Sequence, residues 1–166
     1  MKFNLLITAV AALIPLVIGA VWYNPKVFGS AWMKANGFQE GYKSKTKLGV
    51  IMLVSYLFNF FMAATITMIV IHQFGFFSTL KGTPGLEEVG SDAYNFAKQF
   101  MELYGDNYRT FKHGALHGTL FGFFVVLPVV GTHALYESKG FKYIAIHVGY
   151  WIVSLALMGG VICQFA

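Results

Sequence analysis

The chain has 166 residues, of which 57% are hydrophobic and only 11% are charged, and its mean hydropathy is +0.61. A domain of this size and composition would not stay in solution, so a water-soluble globular protein is excluded. The net charge is +5, but the lysines flank apolar segments and do not interleave with exposed aromatic residues, so nucleic-acid binding is not expected. The one cysteine, Cys163, can form no internal disulfide.

Four apolar stretches, at residues 4–23, 48–72, 114–136 and 142–165, are each long enough to cross a bilayer. A helix needs about 20 apolar residues to cross a hydrocarbon core roughly 30 Å thick. The first stretch is longer than the apolar core of a signal peptide and ends in an aromatic pair, which favours a retained helix. We therefore predict an all-α integral membrane four-helix bundle, with residues 1–166 forming a single transmembrane domain.

The two longer connections contain further helical patterns. Residues 26–36 carry apolar side chains at helical spacing between lysines and are followed by Gly37, which predicts a short helix in the headgroup region. In the connection at residues 74–113, apolar residues recur every three or four positions over residues 91–104, which predicts an amphipathic helix. Aromatic residues near the end of the first span are the predicted interface anchors: Trp22, Tyr23, Phe28 and Trp32.

The distribution of basic residues predicts the orientation in the membrane. Seven lysines occupy the first and third connections, and five basic residues lie on the opposite side, where most of the acidic residues also lie. The positive-inside rule then places both termini outside the cytoplasm and the connection at residues 74–113 on the extracytoplasmic side. The predicted location is a bacterial inner membrane. The seven lysines are Lys26, Lys34, Lys43, Lys45, Lys47, Lys139 and Lys142, and the five opposite are Lys2, Lys81, Lys98, Arg109 and Lys112.

Small and polar residues on the spans predict where helices pack, because lipid competes for purely apolar contacts. The third span carries two overlapping GxxxG motifs, which allow another backbone of the same chain or of a second copy to come close. Asn59 lies deep in the second span, where an unpaired amide is costly. Pro15 and Pro128 remove backbone donors and are expected to kink or loosen their helices. The predicted helix-packing residues are Gly114, Gly118, Gly122 and Asn59.

The five histidines are the residues considered as metal ligands, since no Asp, Glu or Arg lies well within a span. His113 and His117 share one face at the start of the third span, and His72 ends the second span on the same membrane side. On the other side, His133 closes the third span and His147 opens the fourth. Such pairs can chelate a metal or ligate haem iron. No HExxH or CxxCH motif supports either role, and hydrogen bonding to backbone or headgroups is the commoner use of such histidines.

Several motifs near both ends of the chain resemble the bacterial four-span membrane protein family called domain of unknown function 1761. The resemblance implies a four-span membrane fold and supplies no catalytic residues. The connection between spans two and three is longer than in typical members. The motifs are Gly-Ala-Val-Trp-Tyr-Asn-Pro at residues 19–25, Phe28-Gly29, Ala-Trp-Met-Lys at 31–34, Gly118 and Gly122, Ala-Leu-Tyr-Glu at 134–137, Gly149-Tyr150 and Leu-Ala-Leu-Met-Gly-Gly at 155–160.

Three functions follow from these patterns. The first is a structural or accessory membrane module without enzymatic activity, which self-associates or binds a membrane-protein partner through its glycine-rich helix faces and its extracytoplasmic amphipathic segment. The second is a small transporter or channel with a pore between protomers. The third is a haem or metal protein that uses the histidines at the span ends. The lipid bilayer is the predicted partner in each case, and no cofactor is predicted.

Overall fold

Helices are the only regular elements in residues 3–39 and 41–166, the part of the chain that the computed structural model describes. No strand occurs within these ranges, so the prediction of an all-α fold is confirmed. Lys2, which the charge count placed on the side opposite the lysine-rich first connection, lies outside the described residues.

Four helical segments are long and apolar enough to cross a membrane, which indicates a multi-pass membrane protein. They are Leu5–Trp22, Leu48–Val70, Phe111–Tyr136 and Phe141–Phe165, called spans 1 to 4 below. Their bounds agree with the predicted ones to within three residues.

Spans 1 and 3 are each built from more than one helix. Span 1 consists of α1 (Leu5–Ala11) and α2 (Ile14–Trp22). Span 3 consists of α7 (Phe111–Phe121), a π-helical turn (Gly122–Val126) and α8 (Leu127–Tyr136). The remaining helices are a π-helical turn at Pro25–Gly29, α3 (Ser30–Asn36), α4 (Leu48–Val70), α5 (Gln73–Leu80), α6 (Asp92–Tyr104) and α9 (Phe141–Phe165).

The breaks in spans 1 and 3 have the same cause. Pro15 is the second residue of α2 and Pro128 the second residue of α8. A proline has no N–H to donate to the carbonyl four residues earlier, and its ring crowds that carbonyl, so the preceding turn must change. The chain leaves the α-helical pattern between Ala11 and Ile14 and widens into the π-helical turn before Pro128.

Span 4 lies at the centre of the bundle. Half of its most apolar window is buried inside the protein, compared with 22% for span 1 and 17% for each of spans 2 and 3. Leu155, Met158 and Ile162 of span 4 are fully buried and pack in one cluster with Ile66 of span 2. The outer faces of the other three spans are left to contact lipid.

Both helices predicted in the connections are present. The helix α3 ends at Gly37, which has a φ of +76° and lets the amide of Phe38 donate to the carbonyl of Met33 (3.0 Å). The helix α6 is capped by the Ser91 side chain, which accepts a hydrogen bond from the Tyr94 amide (3.1 Å). The helix α5 was not predicted. Span 2 ends at Val70, and a separate helix begins at Gln73.

Candidate metal-binding site

The glycine face of span 3 packs against span 4 of the same chain. A Cβ atom on Gly118 would overlap the backbone carbonyl of Leu155, and one on Gly114 would overlap the carbonyl of Gly159. A Cβ on Gly122 would lie 2.8 Å from the Cγ1 of Ile152. Backbones this close require glycine. The face is therefore covered within one protomer, and a second copy could use it only by displacing span 4.

This packing places the start of α7 next to the end of span 2, where three imidazoles meet. His113 and His117 lie one turn apart on α7, and His72 precedes α5. Their candidate ligand nitrogens all lie within 4.8 Å of one another. The Nε2 atoms of His72 and His113 are 2.9 Å apart and share a hydrogen bond. We call these three residues the histidine triad.

The triad has the dimensions of a three-histidine metal site. At a metal–nitrogen distance of about 2.1 Å, tetrahedral ligand nitrogens lie roughly 3.4 Å apart, within the range that the triad spans. In the hydrogen-bonded pair, one ring donates a proton and the other accepts it. A metal ion could take the place of that proton between the two nitrogens, which lie 2.9 Å apart. The third imidazole then completes three ligands and leaves a fourth position open.

His72 is held in place by the residue that follows it. Gln73 is 5% exposed, and its Nε2 points at the backbone carbonyls of Tyr104 (3.3 Å), Gly105 (2.9 Å) and Asn107 (3.2 Å). These carbonyls lie at the end of α6 and just beyond it, where they have no partners within the helix. The amide therefore ties the start of α5 to the end of α6, and the backbone position of His72 is determined by that contact.

Hydrogen bonds to span 4 hold the segment that leads into α7. The Cys163 sulfur lies 3.4 Å from the carbonyl of Val70 and 3.2 Å from that of Tyr108, so one buried thiol bridges the end of span 2 and the start of span 3. The Nε of Arg109 donates to the carbonyl of Cys163 (3.0 Å). The hydroxyl of Thr110 accepts from the His113 amide (3.3 Å) and caps α7.

A cavity of about 380 Å³ adjoins the triad. Tyr108 has a left-handed backbone (φ +61°), which costs of order 1 kcal/mol for a non-glycine residue. Its ring centroid lies 5.0 Å from that of His113. Aromatic side chains therefore form much of the wall of this cavity, which the triad adjoins at His72. The lining residues are His72, Gln73, Phe100, Tyr104, Asn107 and Tyr108.

The comparison with protein families gives one match, which covers almost the whole chain. The family model described as Protein of unknown function (DUF1761) matches residues 6–163. The chain belongs to this family. No curated protein and no solved structure matches it. Membership agrees with the resemblance seen in the sequence motifs and carries no information on activity.

The two other histidines of this DUF1761 protein have separate neighbours. The Nε2 of His133 lies 3.3 Å from the Oε1 of Glu137, four residues later on the same exposed helix surface. The Nδ1 of His147 lies 3.2 Å from the hydroxyl of Tyr23. His133 and His147, considered above as metal or haem ligands, are not among each other's hydrogen-bond partners. Among residues 3–39 and 41–166, the three side chains placed closely enough to hold a metal ion are those of the triad.

The predicted interface anchors of the DUF1761 protein lie together at the opposite end of the bundle from the triad. The indole of Trp22 donates to the carbonyl of Ile146 (3.1 Å), and its ring lies 4.5 Å from that of Phe28. The ring of Tyr23 lies 5.6 Å from that of Trp32. These aromatic contacts fasten the segment after span 1 to span 4. Asn59, also predicted to pack helices, is 4% exposed, and its Nδ2 has no hydrogen-bond partner among the described residues.

Gln73, Tyr108 and Arg109 were not predicted as site residues, because no motif or periodicity includes them. One pattern could have identified Gln73: a glutamine directly after the last apolar residues of a span. Its amide can donate to the unpaired carbonyls at the end of a neighbouring helix. The single S–H proton of Cys163 lies within reach of two backbone carbonyls, those of Val70 and Tyr108.

Proposed function

We propose that this membrane protein binds a transition-metal ion through His72, His113 and His117 at the end of spans 2 and 3. One observation carries the proposal: imidazoles from two segments, with His72 and His113 separated by 41 residues, converge within 4.8 Å. A hydrogen bond between imidazoles needs only two rings, such as those of His72 and His113. A metal ion needs more ligands, and His117 brings a third ring nitrogen to the same place. The contacts that fix both segments support the proposal, because a preorganised ligand set loses little conformational entropy on binding.

The ligand set favours a bare ion over haem. The ring centroids of the triad lie 4.5 to 5.0 Å apart, and the rings contact one another directly, so no macrocycle fits between two of them. Imidazole suits Zn²⁺, Cu²⁺, Ni²⁺ and Fe²⁺. Three histidine ligands would leave room on the ion for a water molecule or a second ligand, and the aromatic cavity adjoins the triad at His72.

Metal titration of the purified protein in detergent tests this proposal. We expect one Zn²⁺ or Co²⁺ per chain after dialysis, measured by elemental analysis, with the visible absorption of bound Co²⁺ reporting its geometry. His113→Ala and His117→Ala should each weaken binding at least tenfold, since each removes one of three ligands. His133→Ala is the matched control, because that histidine is on the same span and outside the triad. Equal binding by all four proteins would refute a triad site.

The charge distribution supports an orientation with both termini outside the cytoplasm, and the triad then faces the extracytoplasmic side of a bacterial inner membrane. In that orientation the triad and the segment at residues 74–113 are accessible to metal ions in the periplasm. Labelling of a cysteine introduced at the exposed Val89 by a membrane-impermeant reagent, applied to intact spheroplasts, checks the orientation. Labelling only after the membrane is opened would place Val89 on the cytoplasmic side and contradict this orientation.

A second candidate function is partner binding through α6, with a membrane protein or a second copy of the chain as partner. It is favoured by the exposed apolar side chains Phe96 (56% exposed) and Leu103 (61% exposed), which are two turns apart on one face of α6. A photo-crosslinking residue at Leu103 is expected to capture a protein in native membranes. The same residue at Lys98, on the opposite face, should not. Crosslinks to lipid alone from position 103 would show that this face rests on the bilayer.

A further inference from the structure

A second cavity lies at the opposite end of span 2 from the histidine triad and extends towards the middle of the membrane. Its volume is about 560 Å³, which is within the range of roughly 300 to 1,000 Å³ for small-molecule sites. Spans 1, 2 and 4 form its walls. The lining residues include Pro15 and Gly19 of span 1, Ser55 and Asn59 of span 2, and Trp151 of span 4.

Asn59 is the deepest polar residue of span 2 on this cavity. It is the middle residue of the 23-residue helix Leu48–Val70, with 11 helical residues on each side. At 1.5 Å per residue it lies about 16 Å from either end of the helix, close to the bilayer midplane. Water is scarce at that depth, so an amide nitrogen without a partner costs on the order of 1–3 kcal/mol.

Two of the hydroxyl groups in the cavity wall already have hydrogen-bond partners. The hydroxyl of Tyr150 donates to the carbonyl of Pro15 (2.9 Å), and the hydroxyl of Tyr23 is paired with His147 (3.2 Å). The Nδ2 of Asn59 has no hydrogen-bond partner among the described residues. Asn59 lines the cavity, and a half-turn of its amide about the Cβ–Cγ bond, which exchanges Nδ2 and Oδ1, presents this unpaired donor to a ligand there.

We infer that this cavity binds a lipid-soluble molecule with a neutral, ring-borne carbonyl, of the quinone class, whose carbonyl oxygen accepts a hydrogen bond from Asn59. The described residues that line the cavity carry no formal charge, so a charged ligand would lose its hydration without compensation. The carbonyls and headgroups of phospholipids lie near the membrane surface, about 15 Å from the midplane. The acceptor must therefore belong to a molecule that is soluble in the hydrocarbon itself.

The lining also fits a flat ring. Four aromatic residues line the cavity: Tyr23, Phe58, Tyr150 and Trp151. Aromatic groups stack favourably on planar ligands, with gains of about 0.5–1.5 kcal/mol per pair beyond the area they bury. A chain of apolar atoms attached to the ring can leave between the spans into the lipid.

The test is a binding titration of the full chain in detergent micelles with decylubiquinone, followed by quenching of tryptophan fluorescence. We expect saturable binding with one site per chain. Asn59→Leu should weaken it at least tenfold, because the leucine removes the donor at nearly constant volume. Thr65→Val is the matched control: Thr65 is an exposed residue of the same helix whose hydroxyl donates to the Phe61 carbonyl, and its loss should leave binding unchanged.

Further measurements keep the inference testable if Asn59→Leu fails to fold. Ser55→Phe fills the cavity from its wall while retaining the Asn59 amide, and it should abolish binding while the helical circular dichroism is retained. Non-saturable quenching, or equal affinity in wild type and Ser55→Phe, would mean that the quinone only partitions into the micelle and would overturn the inference. Full displacement of the quinone by a phospholipid at equal concentration would overturn it as well, because the occupant would then be an acyl chain.

Discussion

Replacing Gly118 with leucine is expected to disrupt the protomer itself. A Cβ at this position overlaps the carbonyl of Leu155, so spans 3 and 4 would have to separate along the most closely packed helix pair of the bundle. Inserting atoms into a packed core typically costs about 1–3 kcal/mol, and here the obstructing atom is backbone, which cannot rotate away. We expect a loss of at least that size in unfolding free energy, measured by titration of the detergent-solubilised protein with sodium dodecyl sulfate.

Gly131→Leu is the control for this experiment. Gly131 lies on the same span, and the nearest atom to a Cβ there is the Cδ1 of Leu127, at 4.0 Å. Its unfolding should remain close to that of wild type. If Gly118→Leu kept wild-type stability and instead changed the particle mass seen by light scattering, the glycine face would contact a second copy, as the sequence alone allowed. That result would contradict the packing of span 3 on span 4.

The elements of the fold that could be predicted from sequence are those set by local chemistry. Span lengths follow from the bilayer thickness and the apolar composition, so all four spans were found. The helix α6 was visible because its apolar residues repeat at the helical period, and its cap at Ser91 is a local hydrogen bond. The end of α3 at Gly37 needs only the φ preference of glycine.

The elements that could not be predicted depend on contacts between distant segments. The two motifs of the third span predicted a close helix contact, but the choice between span 4 and a second copy depends on tertiary packing. The same holds for the histidines. All five lie near span ends, yet packing brings together the three at one end, while His133 pairs with Glu137 and His147 with Tyr23. The helix α5 was missed because the apolar run of span 2 continues through Ile71, which has an extended backbone.

Gln73 is expected to determine both the stability of the connection and the position of His72. In Gln73→Leu the half-buried carbonyl of Gly105 and the carbonyl of the exposed Asn107 lose a donor that water can partly replace, a net loss of about 0.5–1.5 kcal/mol for a hydrogen bond. Leucine has a similar volume, so this cost comes from the lost hydrogen bonds and not from a void. Hydrogen exchange should show faster exchange of the amides in α5 and at the end of α6, while the amides in the middle of span 4 remain protected.

The same substitution separates the roles of the triad and its support. Gln73 is not a ligand, so Gln73→Leu should retain one Zn²⁺ per chain and weaken its binding roughly ten- to a hundredfold, as for other residues that orient metal ligands. Gln99→Leu makes the same change on the exposed surface of α6 and should alter neither exchange nor metal affinity. Faster exchange with unchanged Zn²⁺ affinity would mean that the amide supports the connection but that His72 is not a ligand. Unchanged exchange in Gln73→Leu would contradict the contact between α5 and α6 itself.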